Sequence, residues 1–347
     1  MLFNAKNPHG GDIYEGKVVL DFSENTNPFG TPESVKEAIR RSAELARRYP
    51  DPYCRALTKK LAEREGVDAD TILFGAGAAE LIYSFAEAVK PNKAVMPAPT
   101  FSEYALALER FGTEIVRFTL NENEDFALAS AFADFIRSQR PDAVFVCDPN
   151  NPTGRAAAPG VMDGILNACR ETGARLFVDE CFLDFTCGRR SMKDRLSDHR
   201  ELVILRAFTK SFGMAGLRLG YVLSSDRELL HAMSRTVQPW NVSVTAQAAG
   251  EAALDERDFI LKAAEYVRGE RGRLRAELEK LGLRVFPSDA NYLLFKGPIG
   301  LDRELMKRGI RIRSCANYEG LSKDFYRTAV KLAEENDALI EAIKEIM

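Results

Sequence analysis

The sequence has little with which to build a metal centre or a disulfide framework. Its six cysteines, Cys54, Cys147, Cys169, Cys181, Cys187 and Cys315, are scattered without a CxxC pair, and its three histidines stand far apart at positions 9, 199 and 231. Such spacing lacks the pattern of a zinc site or a secreted disulfide scaffold, so most of the cysteines are expected to serve as small buried hydrophobes. Net charge is nearly missing too: 48 Lys plus Arg stand against 51 Asp plus Glu, a formal −3 with histidine neutral. That balance gives no reason to expect nucleic acid or an anionic membrane as a partner, and leaves room for local basic sites that take a small anion. No segment reaches the roughly 18 to 20 apolar residues of a membrane span. The opening MLFNAKNPHGGDIYEG has neither the apolar stretch of a signal peptide nor the Arg/Ser-rich pattern of a transit peptide. A cytoplasmic location is the expectation. Internal repeats and low-complexity tracts are absent.

What is present is enough apolar residue, 46% of 347, for one large domain and a smaller one. Residues 1–30, rich in Asn, Gly and Pro, read as an irregular arm. A helical pattern runs from Pro32 to Arg48 behind a cap at Thr31, and a second over 55–66 stops at Gly66. The rhythm then alternates: short unbroken apolar runs such as TILFG, KAVMPA, DAVFVC, RLFVD and LVILRA are separated by amphipathic helices. Strands of that kind need cover on both faces, which predicts an α/β fold with a three-layer α/β/α large domain and a mostly parallel sheet. The large domain is placed at 31–250, with its first helix, 32–48, available to pack on the smaller domain. A charged helical stretch near 245–280 reads as a surface connector. Beyond it, a C-terminal α/β domain, 251–347, is expected to have an antiparallel component from LRVFPS, NYLLFK, IRIRSC and FYRTAV.

Four segments carry chemistry. In ILRAFTKSFGMAGLRLGYV, Lys210 follows an apolar strand and precedes Gly213, Gly216, Arg218 and Gly220, so an amine and a guanidinium stand at neighbouring loop ends. In DAVFVCDPNNPTG a strand ends in a turn displaying Asn150 and Asn151; this is either an ordinary Asn/Pro turn or a ligand-facing one at a strand's carboxyl end. In ARLFVDECFLDF, Asp179 closes a strand, where it either caps the next turn or holds a protonated ring nitrogen. LFGAGAAELI is a strand, a glycine turn and a helix start, a weak anion-binding signal. No Lys-Ser/Thr follows it, which argues against ATP or GTP.

In that order these segments resemble the fold-type I pyridoxal 5'-phosphate (PLP) enzymes of the class I/II aminotransferase superfamily, over nearly the whole chain. The resemblance implies that Lys210 is the Schiff-base lysine, Asp179 the partner of the pyridine nitrogen and Asn151 the residue bonding the ring O3'. Arg218 would hold the cofactor phosphate with the backbone N–H groups of Gly77 and Ala78. Tyr104, in PTFSEY, is similar to the aromatic that stacks on the ring. Tyr53, in RYPDPYC, is similar to the tyrosine that reaches the neighbouring subunit's cofactor, which implies a homodimer with shared sites. Two positions depart from the family: Phe182 stands where many members have a tyrosine on O3', and Ala207 where a Ser or Thr usually meets the phosphate. The first should change the tuning of the imine, and the second should weaken cofactor retention modestly.

Within the superfamily the chain is similar to the L-threonine-O-3-phosphate decarboxylases of cobalamin synthesis and to histidinol-phosphate aminotransferases. The arm's HGG and DFS-x-N-x-NP-x-G, the segment IRSCANYEGL with FYR, and Phe182 match the decarboxylases better. That resemblance implies that His9, Asn25 and Arg313 contact a substrate phosphate, that Arg327 grips the α-carboxylate, and that the arm is a lid excluding water. Without it, Arg311 and Arg313 could both be solvated face residues and His9 a loop histidine. The expected reaction yields (R)-1-amino-2-propanol O-2-phosphate; the alternative is transamination of histidinol phosphate with 2-oxoglutarate. A third reading, a cofactor-sensing regulator, is disfavoured by the intact Lys210 and Asp179 and by the lack of a basic DNA-binding extension.

Overall fold

Strands that are apolar without interruption can be buried on both faces, and here they are. The computed structural model describes residues 9–14 and 17–347; residues 1–8 and 15–16 of the arm lie outside the described residues. After β1 (Leu20–Asp21) come β2 (Ile72–Gly75), β3 (Lys93–Ala98), β4 (Glu114–Thr119), β5 (Ala143–Cys147), β6 (Arg175–Asp179), β7 (Leu202–Ala207) and β8 (Gly220–Leu223). The last seven form one sheet in the order β2-β8-β7-β6-β5-β3-β4. Only β8 is antiparallel to its neighbours, so β2 to β7 all end at one edge of the sheet and β8 begins there.

Alternate side chains enter opposite cores. Phe145, Phe177, Val203 and Leu205 join Leu81, Phe85 and Tyr104 from the helices Ala78–Val89 and Glu103–Glu109 on one face. Val144, Val146, Leu176, Val178, Leu202 and Ile204 join Phe132, Ile136 and Ile165 from Ala131–Gln139 and Val161–Thr172 on the other. Each such side chain contributes roughly 1.5–3 kcal/mol by leaving water. The chain runs outward from β3 to β4 and returns to β5 on the far side of β3. That reversal opens a crevice at the carboxyl ends of β3 and β5, where such sheets bind ligands.

The C-terminal part has the expected antiparallel sheet, β12 (Arg313–Ser314), β13 (Phe325–Ala329), β10 (Tyr292–Lys296) and β9 (Arg284–Val285) in that spatial order. The charged stretch before it divides into Val244–Ala253 and Arg257–Lys280. It is more than a surface connector: Val267, Leu274 and Leu278 are buried in the same core as Tyr292, Phe295 and Leu339. The first long helix, Glu33–Ser42, sits elsewhere than expected, because Val35 packs with Leu57, Ala246 and Ala249 beneath the large sheet rather than on the C-terminal sheet.

The arm is also less irregular than its composition suggests. β1 pairs in parallel with β11 (Ile310–Arg311), Phe22 is fully buried, and Ala329 N donates to Phe22 O at 2.9 Å. Five cysteines are buried and Cys187 is exposed. Among the described residues no helix is long and apolar enough to cross a membrane, and no His/Cys/Asp/Glu group could hold a metal ion.

Candidate active site

The strand ends surround a cavity of about 240 Å3, roofed by the arm and the C-terminal sheet. Lys210 lines it from the single helical turn Phe208–Ser211 that follows β7. Asn27 fastens the backbone here twice: its N donates to Lys210 O at 2.9 Å and its Nδ2 to Ser211 O at 2.8 Å. Burial pushes the Lys210 amine below its ordinary value, and the charge of Arg327 pushes the same way, which favours the neutral, nucleophilic form.

Asp179 ends β6 on the face of Phe177 and lines the cavity. Its Oδ1 accepts from Cys181 N at 2.9 Å and its Oδ2 from the Tyr104 hydroxyl at 2.7 Å, so the carboxylate is fixed from below and presents an acceptor to the cavity. Burial, then the Asp179 charge, pushes the Tyr104 phenol well above its usual range, so it remains a donor. Tyr104 is therefore not where sequence comparison put it. It is fully buried, stacked on Phe145 at 5.5 Å, while Phe101 three residues earlier supplies the aromatic cavity wall. Asn151, after β5, also lines the cavity. Its Oδ1 accepts from Arg327 Nη1 at 2.6 Å and from the Tyr318 hydroxyl at 3.3 Å, which leaves Nδ2 as the donor for a ligand.

At the end of β2 the chain turns into the helix Ala78–Val89, whose first N–H groups have no intrahelical acceptor. Ala78 and Ala79 line the cavity beside Arg218. Gly77 acts differently from expectation: its N–H is spent on Gly75 O at 2.7 Å, and it has a φ of 87°. Its role is clearance, since a Cβ there would lie 2.5 Å from Arg218 Nη2. Together these groups make a cradle that suits a phosphate. Thr209, which sequence reasoning passed over, lines the cavity next to Lys210 and carries a hydroxyl, whereas Ala207 is not among the lining residues. Its signal was legible as the residue directly before the lysine. Phe182 lines the cavity as expected and brings no hydroxyl. Tyr53 is outside it, 69% exposed, with the Arg55 guanidinium 4.5 Å from its ring centre.

The C-terminal sheet contributes the remaining cations. Arg313 and Arg327 are direct cross-strand partners in β12 and β13, and both line the cavity. Like charges so placed repel one another, which an anion between them would offset. Arg327 is buried, with Nη1 on Asn151 and Nη2 donating to Ser23 O at 2.7 Å; its Nε is without a partner, and among the described residues no carboxylate pairs with it. Asn25 is buried in the same wall with its Oδ1 unpartnered. His9 completes the roof. Of the anticipated residues, nine therefore meet in one cavity with Lys210 among them, Gly77 and Tyr104 support it from outside, and Tyr53 is remote.

Residues 17–343 match the family described as aminotransferase class I and II. The chain is 37% identical over 358 residues to the threonine-phosphate decarboxylase of Salmonella typhimurium, covering 100% of this chain and 98% of that protein. It is 32% identical to histidinol-phosphate aminotransferase 1 of Archaeoglobus fulgidus, covering 95% of this chain and 99% of the other. The fold superposes on the crystal structure of the histidinol-phosphate aminotransferase from Clostridium acetobutylicum with a TM-score of 0.88 at 29% identity, over 94% of this chain and 99% of that one.

Proposed function

Because the chain belongs to the aminotransferase class I and II family, we propose that it binds PLP on Lys210 and decarboxylates L-threonine O-3-phosphate to (R)-1-amino-2-propanol O-2-phosphate. The observation that carries this reading is a cavity with two separate cationic stations, Arg218 beside the large sheet and Arg313 with Arg327 on the C-terminal sheet. A cofactor phosphate takes the first. A substrate with both a phosphate and a carboxylate takes the second, where its two anionic groups can engage the two guanidinium groups. The likeness to the Salmonella protein along the whole chain supports the same substrate class.

The residues present fit the cofactor. The Arg218 cradle cleared by Gly77 would hold its phosphate, Asn151 Nδ2 would meet a phenolate oxygen, Asp179 a protonated ring nitrogen, and Phe101 the ring face. When bound, PLP supplies an electron sink for the pair left as a bond to the substrate's α-carbon breaks. Arg327 chooses that bond by fixing where the carboxylate lies, with its guanidinium held in turn by Asn151 and Ser23. His9, Asn25 and Arg313 bind the substrate phosphate, and the arm that bears His9 keeps water off the reacting carbon. Carbon dioxide leaves, and the neutral Lys210 amine, having taken the proton that the substrate's ammonium group gives up on entry, passes it to the α-carbon.

The test is incubation of PLP-loaded protein with O-phospho-L-threonine and no keto acid. Equal release of carbon dioxide and phosphorylated amine is the expected outcome. No release, together with glutamate formed from histidinol phosphate and 2-oxoglutarate, would replace this reading with the transaminase. We further propose a homodimer in which exposed Tyr53 reaches the cofactor phosphate of the other subunit. Sedimentation equilibrium of the active protein should give twice the chain mass; a monomer with full activity would refute it.

A further inference from the structure

The arm is held over the cavity by a residue that does not itself face the cavity. Glu103 begins the helix Glu103–Glu109, two residues after the wall residue Phe101. His9 Nε2 donates to Glu103 Oε1 at 2.6 Å, and the Tyr83 hydroxyl donates to Oε2 at 3.0 Å. Tyr83 is itself braced by the Arg110 guanidinium, 4.3 Å from its ring centre. Both carboxylate oxygens are thus engaged, and the bond from His9 is the leading cause holding the Glu103 carboxyl below its usual range. The His9 ring also lies 5.6 Å from that of Phe101.

Next to His9 the arm rests directly on Ser23, in the segment after β1, whose carbonyl helps position Arg327. Gly11 N donates to Ser23 Oγ at 2.8 Å, and a Cβ on Gly10 would collide with Ser23 O, the acceptor of Arg327 Nη2. The segment at 9–11 is therefore fastened twice, at Ser23 by its backbone and at Glu103 by its side chain.

We propose that Glu103 is a positioning residue: its bond to His9 latches the arm over the cavity and presets the imidazole for a phosphorylated ligand. This rests on the reading above that the substrate carries a phosphate. The latch orders the arm before the ligand arrives, so its loss appears as weaker binding rather than slower chemistry.

In the PLP-loaded protein, Glu103→Ala is expected to raise KM for the phosphorylated substrate about tenfold, the size of one hydrogen bond to a charged group, with kcat changed less than about twofold. Glu103→Gln, which keeps an acceptor for His9, recovers most of the loss. In a His9→Ala background, Glu103→Ala adds nothing, which a merely structural role would not produce. Hydrogen exchange of the ligand-free holoenzyme gives a readout independent of turnover: amides of residues 9–14 exchange several-fold faster in Glu103→Ala, while those of Ala78–Val89 do not change. Measuring KM with both O-phospho-L-threonine and histidinol phosphate separates the two levels. If only histidinol phosphate is turned over, the decarboxylase reading fails and the latch is judged on that substrate. Unchanged exchange at 9–14, or an unchanged KM for whichever substrate the wild type uses, overturns the latch.

Discussion

Replacing Lys210 with methionine is expected to lower turnover by about 10³-fold or more, the scale of losing a covalent tether and a general acid–base together. The cofactor should still enter the Arg218 cradle, yet borohydride should no longer fix it to the protein. A variant that retained a reducible linkage, or activity within tenfold of the wild type, would remove Lys210 from the mechanism. The pH dependence follows from the environment of the amine. Burial and then Arg327 lower its pKa from the ordinary 10.5, so the rate at which cofactor-free protein captures PLP should level off at a lower pH than for a solvent-exposed lysine. The same shift has a stability sign. The folded chain resists protonating Lys210, so the stability associated with the neutral amine is complete above pH 10.5 and is lost as pH falls toward and through the folded-state pKa. Cofactor-free Lys210→Met, which has no proton to resist, should therefore melt above the wild type near neutral pH. The gap should narrow as pH rises toward 10.5.

Arg327→Leu is expected to lower kcat/KM for O-phospho-L-threonine by about 30- to several-thousand-fold, corresponding to the roughly 2–5 kcal/mol lost when one side of a buried charged contact is removed. The loss has two parts. The substrate carboxylate forfeits a guanidinium fork, and Asn151 and Ser23 forfeit donors at 2.6 and 2.7 Å. Arg327→Lys keeps the charge but not the fork, so it should recover only part of the activity. A kcat/KM for Arg327→Leu within threefold of the wild type would show that the carboxylate is gripped elsewhere. The variant should also move the capture curve of Lys210 to higher pH, because the positive charge of Arg327 helps lower the amine pKa. Seeing that shift without a change in kcat/KM would separate the electrostatic role from the binding role.

Much of this site was legible because each residue is tied to a strand end. Lys210, Asp179, Asn151 and Arg218 all stand within a few residues of β7, β6, β5 and β8, and a run of apolar residues marks a strand end without knowledge of its neighbours. Arg313 and Arg327 were legible as residues, but their opposition across β12 and β13 depends on register, and a slip of either strand by one residue would turn its arginine to the other face. Tyr104 and Phe101 show the same limit on a smaller scale. Three residues apart at a helix start, they point to similar sides, and only the packing on Phe145 decides which lies beneath Asp179 and which lines the cavity.

The sequence by itself determined the alternating α/β layering, the strand ends and the chemical groups set upon them, because hydrophobic periodicity and turn chemistry are local properties of the chain. Tertiary structure alone decided that β1 joins β11 near the far end of the chain, that Gly77 clears space for Arg218 instead of offering its own N–H, and that Glu103 meets His9. A two-residue strand has no periodicity to read, and a contact between distant segments is fixed by how whole elements pack, which no local window contains.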